Sequence, residues 1–181
     1  MKILGISGSL RKASWNTGLL HAAANLLPDH ELEIAEIGDL PLINQDLEQD
    51  GKFPAPVARL RGQILAADAI LFATPEYNAS IPAPLKNAID WASRPANVLA
   101  GKPAAICGAS PGALGTSRGQ YPLRHTLGVL SVQMLGQPEV FIGGASQKFT
   151  DGKLTDAGTL DFLGKMLTAF EIFVERVKLV G

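Results

Sequence analysis

Three short, wholly apolar runs constrain this chain more than anything else in it: Ile3 to Ile6, Ala69 to Ala73 and Ala104 to Cys107. None alternates polar with apolar residues, so each needs cover on both faces, the condition of a central strand in a parallel sheet. Each empties into a loop rich in Gly, Ser or Pro, and a helical repeat follows. The first helix carries Leu19, Leu20, Ala23, Leu26 and Leu27 up to Pro28, with Ser14 or Asn16 as its cap. Val57, Leu60, Ile64 and Leu65 mark the second; Leu85, Ala88, Ile89 and Ala92, led in by Pro82 and Pro84, mark the third. A fourth helix carries Leu123, Leu127, Leu130 and Met134. Ser117 and Gln120 have the spacing of a capping box there, but Pro122 falls close behind, which leaves its start open. Thr155 or Asp156 opens a last helix striped with Leu160, Leu163, Leu167, Phe170, Val174 and Val177.

Leu32 to Ile37 alternates with Glu31, Glu33 and Glu36 like an edge strand, and Val140 to Ile142 makes a short last strand. The expected fold class is therefore α/β: a five-stranded parallel sheet of order 2-1-3-4-5 covered by helices on both faces, with residues 1–181 as one domain. Between them lies an irregular segment, Gly38 to Pro56, long enough to be functional or packed on a neighbour.

The formal net charge of −1 offers nothing to nucleic acid or an anionic membrane, and no apolar run reaches the length of a membrane span. With no signal-peptide pattern, a cytoplasmic location is expected. Cys107 stands alone, so no intrachain disulfide is possible, and its setting in an apolar run predicts a packed thiol. His21, His30 and His125 lack metal-ligand spacing, and no metal site is expected. Charged residues make up 18% of the chain, below the roughly 25% of typical domains. That deficit suggests a subunit interface, to which Leu85, Ile89, Trp91, Leu123, Leu127 and Leu130 could contribute. Arg118, Tyr121 and Glu139 are candidates for the polar part of a second interface. Trp15 and Trp91 are read as packing or interface residues.

In a sheet of this order, ligands bind beyond the carboxyl ends of the strands. Three loops meet there: Ser7 to Asn16, Thr74 to Ser80 and Gly108 to Ser117. The first is an anion cradle, with hydroxyls, Arg11 and a helix N-terminus, and no carboxylate before Asp29. It lacks the Lys-Ser or Lys-Thr pair of a Walker loop and the Gly-x-Gly-x-x-Gly of a dinucleotide fold. No acidic residue stands convincingly at the end of the second strand to hold an adenosine ribose. A phosphate monoester fits better, with the second and third loops holding the rest of a mononucleotide.

The segments Gly8-Ser9-Leu10-Arg11 with Ser14 and Asn16, Thr74-Pro75-Glu76-Tyr77-Asn78, and Leu85-Lys86-Asn87-Ala88-Ile89-Asp90-Trp91 resemble the NADPH-dependent FMN reductase family, in particular its chromate and quinone reductase branch. The similarity runs over nearly the whole chain. It implies a flavodoxin-like three-layer sandwich, bound FMN, and reduction of quinones, azo dyes, chromate or free flavin by NADH or NADPH. Residue by residue, it implies that Ser9, Arg11, Ser14 and Asn16 hold the FMN phosphate. Pro75, Glu76, Tyr77 and Asn78 would lie along the ring and ribityl chain, largely through their backbone. Ser110, Gly112 and Gly115 would close over the pyrimidine end. The family also implies a homodimer, with dimers pairing into a homotetramer.

No side-chain nucleophile with a base beside it is legible, and a flavin enzyme requires none. Between Asp90 and Glu139 there is no carboxylate at all, which suits a loop facing the pyrimidine end, where reduction places negative charge. One open flavin face that serves first the nicotinamide and then the acceptor implies ping-pong kinetics. The alternative is a flavodoxin-like electron carrier with no substrate of its own; the near-neutral charge and sparse aromatics speak against it.

Overall fold

The computed structural model describes residues 1–48 and 52–180. Its sheet follows the order β2-β1-β3-β4-β5, all parallel, built from β1 (Lys2–Ser7), β2 (Glu31–Ile34), β3 (Ala69–Ala73), β4 (Pro103–Ala109) and β5 (Gln133–Met134). The pleat sorts the apolar runs into two cores. Ile3, Leu71, Ala105 and Cys107 face α1 (Trp15–Leu26) and α5 (Ala157–Val180). Leu4, Ile6, Phe72 and Ile106 face α2 (Ala55–Ala66), α3 (Ala83–Ala92) and α4 (Ser117–Val129). Cys107 is fully buried, its Sγ donating to the Phe72 carbonyl at 3.6 Å, and burial pushes the thiol pKa up to about 12.

Three expectations are corrected. Met134 lies on β5, not on the fourth helix. That helix ends at Val129 because Ser131 takes a left-handed conformation (φ 59°), with Ser131 N bonding Gly128 O and Val132 N bonding Leu127 O. This is a Schellman stop with Ser where Gly is usual, and so without the usual signal. The fifth strand position is consequently split: β5 pairs with Pro103 and Ala104, and a further strand, β6 (Val140–Ile142), pairs with Cys107 to Ala109. A hairpin of β7 (Phe149–Thr150) and β8 (Lys153–Leu154) escaped the reading because two-residue strands carry no period.

The second correction concerns the apolar residues assigned to an interface. Leu85, Ile89, Trp91, Leu123 and Leu127 are 0–2% exposed within this one chain, and Leu130 packs against the same core. The Leu40-Pro41-Leu42-Ile43 segment explains part of this demand. The Pro41 carbonyl accepts from Trp91 Nε1 at 2.8 Å and from Asn87 Nδ2 at 2.9 Å, sealing that end of α3. The third correction is polar: Arg118 and Glu139 find partners inside the chain. Arg118 pairs with Glu76 at 2.7 Å, while Glu139 pairs with Arg124 at 3.4 Å and accepts from Tyr121 Oη at 3.4 Å.

Candidate active site

The first loop leaves β1 under tight constraint. Gly8 N bonds the Ala73 carbonyl, and a Cβ on Gly8 would stand 2.8 Å from Pro82 Cγ and 3.1 Å from Pro75 Cδ. Glycine thus lets the first loop press onto the second. Ser9 Oγ accepts from Arg11 N, and Ser14 Oγ accepts from Thr17 N at 3.2 Å, which makes Ser14 the helix cap. The first-turn N–H groups of Trp15 and Asn16 have no acceptor within the helix. Asn16, the other candidate cap, does something else: its Oδ1 accepts from Ala109 N at 2.9 Å and its Nδ2 donates to Ala109 O at 3.1 Å. It ties the first loop to the third, so its side chain braces the site. Arg11 lies 5.5 Å over the Trp15 ring and makes no ion pair among the described residues. Trp15 in turn leans on Phe149 of the hairpin, with ring centroids 6.3 Å apart.

The second loop is a two-residue turn. Tyr77 and Ser80 exchange backbone hydrogen bonds around Asn78 (φ 51°) and Ala79 (φ 58°), the conformation of a tight hairpin. Asn78 tolerates that backbone and is exposed at the turn. The Glu76 carboxylate turns away from the first loop: it pairs with Arg118 and accepts from Gly119 N at 3.0 Å. Thr116, which precedes α4, is left-handed and supplies no side-chain cap, so Glu76 caps the helix from the second loop. This resolves the helix start that Pro122 had obscured.

The third loop is shaped by its glycines in two different ways. Gly115 (φ 59°) abuts β6 so closely that a Cβ would meet Phe141 C at 2.6 Å. Gly112 has nothing within 4 Å of its absent Cβ. The Thr116 side chain is buried, and its Oγ1 accepts from Gln120 Nε2 at 3.0 Å. A Cβ on Gly108 would clash with that hydroxyl. Thr116 therefore points into the core.

One cleft of about 80 Å³ brings the three loops together, lined by Ser9, Arg11, Ser14, Trp15, Asn16, Pro75, Glu76, Tyr77, Ala109, Ser110 and Pro111. Eight of the expected site residues line it; Asn78, Gly112 and Gly115 do not. Trp15, Ala109 and Pro111 also line it and were not among the expected site residues; Arg11 precedes α1, so no helical spacing signalled its contact with Trp15. Among the described residues no cluster of His, Cys, Asp or Glu could hold a metal.

The donor set suits a phosphate monoester: hydroxyls, a free guanidinium and a helix N-terminus at one end, with an aromatic and a glycine-rich backbone at the other. Comparison with known proteins decides the family. Residues 1–147 match the model of the NADPH-dependent FMN reductases. The chain belongs to that family. It is 49% identical to an NAD(P)H-dependent FMN reductase of Pseudomonas aeruginosa over 98% of this chain and 97% of the relative. It is 42% identical to a quinone reductase of Escherichia coli K12, over 99% and 98%. Among solved structures it matches FerB, a flavoenzyme NAD(P)H:(acceptor) oxidoreductase of Paracoccus denitrificans, with a TM-score of 0.88 and 40% identity over 97% of each chain. As a member of this family the chain is an NAD(P)H-dependent oxidoreductase with FMN as its flavin, and the carrier alternative falls. No helix among the described residues is long and apolar enough to cross a membrane.

Proposed function

We propose that the whole chain acts as one FMN-binding domain that passes electrons from NADH or NADPH to quinones, and also to azo dyes, chromate or free flavin, in a ping-pong cycle. The observation that carries this reading is the convergence of three loops on one cleft whose first wall is an uncompensated phosphate cradle. FMN, when bound, supplies the N5 atom that takes a hydride from reduced nicotinamide and gives it up to the acceptor.

The chain supplies position and charge. Ser9, Arg11, Ser14 and the N–H groups of Trp15 and Asn16 hold the phosphate, a dianion matched by cation and helix dipole. Pro75, Glu76 and Tyr77 offer mainly backbone to the ring, since the Glu76 side chain is committed to α4. The third loop, with Ser110 on the cleft wall and Gly112 and Gly115 shaping the backbone behind it, lies in a stretch without carboxylates and would meet the pyrimidine end, where negative charge develops on reduction.

We further propose a cytoplasmic homodimer that pairs into a homotetramer, for which the exposed Tyr121 and Val129 on α4 leave apolar surface. Light-scattering mass tests the assembly. Initial rates of the yellow protein, with nicotinamide and a quinone varied together, test the cycle: parallel double-reciprocal lines are expected, and intersecting lines would rule it out.

A further inference from the structure

The cradle borders a second cavity besides the three-loop cleft, a larger groove on its other side, about 540 Å³, between the first loop and the chain that follows β2. Its volume lies within the range of small-ligand sites, roughly 300–1,000 Å³. Ser9 and Arg11 line both cavities, so the two sites share one anion-binding wall. Glu36 lies on the far side. The alternation of Leu32 to Ile37 had placed it inside a strand, but β2 stops at Ile34, and Glu36 stands two residues beyond, lining the groove.

An acidic side chain just past the end of the second strand is where doubly wound sheets hold the hydroxyls of an adenosine ribose. Asp39 is neutralised there by a bidentate Arg59, which holds its carboxyl below the usual carboxylate range. Glu36 makes no ion pair among the described residues, and it would repel a ribose 2′-phosphate. Leu10, 57% exposed, offers apolar surface for a base, above a floor that includes the buried Ile37.

We propose that this groove seats the AMP half of FAD, so that the chain accepts FAD as well as FMN. The proposal rests on the cradle's holding the flavin's own phosphate; the adenylate then continues past Ser9 and Arg11. Charge selects FAD over NADPH as the occupant, because the FAD ribose is a free diol.

The test is flavin titration of the apoprotein, read by fluorescence quenching. FAD is expected to bind within about tenfold of FMN, and both at least tenfold tighter than riboflavin. Gly38→Phe fills the groove, since a Cβ there already stands 3.3 Å from Leu10 Cδ2 and 3.5 Å from Glu36 Oε1. It should weaken FAD about tenfold or more and leave FMN within about twofold. Glu36→Ala should weaken FAD about fivefold and leave FMN unchanged. FAD binding no tighter than riboflavin, beside tight FMN, overturns the proposal. So does an equal loss of FMN and FAD in both variants, or a Glu36→Ala effect confined to the KM for NADH. FMN binding no tighter than riboflavin would instead break the cradle reading itself.

Discussion

Two arginines, Arg11 in the first loop and Arg61 on α2, both lack a direct ion pair among the described residues, and they have opposite fates. Arg61 is 8% exposed and donates to the carbonyls of Trp91, Ala92, Arg94 and Ala96. Its guanidinium also lies 4.6 Å from the Phe53 ring, and burial pulls its pKa below the ordinary value. Those carbonyls include the last of α3, which a helix leaves unpaired. Arg61 is thus a closed structural plug. Arg11 is exposed, rests on Trp15, and its guanidinium donates to nothing among the described residues. The difference is one of satisfaction: a cation whose donors are used up by backbone holds the fold together, whereas one held in place with its donors free is equipped to bind an anion.

The comparison can be broken in order of expected effect. Arg61→Met leaves buried carbonyls unpaired and should cost about 3 kcal/mol of stability, lowering Tm by roughly 6–12 °C, with FMN affinity retained once folded. Thermal unfolding and flavin titration on the same sample check both halves. Arg11→Ala should do the reverse: Tm within about 2 °C of the parent, FMN binding weaker by about 30-fold, or about 2 kcal/mol, and riboflavin binding unmoved. A loss of riboflavin affinity as large as that of FMN would show that Arg11 organises the loop instead of binding phosphate.

Glu76→Ala removes the cap of α4 and the Arg118 pair. It should cost about 1 kcal/mol, visible as a Tm lower by roughly 3 °C. The smallest expected effect is that of Trp15→Leu. Losing the shelf under Arg11 should weaken FMN by about two- to fivefold, from a cation–π contact of roughly 0.5–1 kcal/mol, without touching riboflavin. Its failure to distinguish the two flavins would detach Trp15 from the phosphate end.

Much of the architecture was legible. Ala69 to Ala73 occupies its expected span, Ser14 caps α1 as its position before a Leu-rich repeat suggests, and Asp156 opens α5 by accepting from Thr159 N at 2.8 Å. What escaped was the set of polar side-chain contacts between residues far apart in the chain. Asn16 had the composition of a cap, yet its amide bridges to Ala109, 93 residues away. Arg118 was expected to look outside the chain for a carboxylate and found Glu76. Arg61 was invisible because an arginine on a helix ordinarily marks the solvent face.

The sequence by itself determined the layer order, the strands that need two-sided cover and the loops that hold the hydroxyls and the free arginine. Those follow from periodicity and from local preferences of turn and cap, which act over a few residues. Tertiary structure alone decided which polar groups are spent and which remain free: Glu76 on the N-terminus of α4, Arg61 on the carbonyls at the end of α3, and Arg11 on nothing but an aromatic face. A hydrogen bond or ion pair is satisfied by whatever lies within about 3–4 Å, and that neighbour is fixed by how the helices pack, not by the order of the chain.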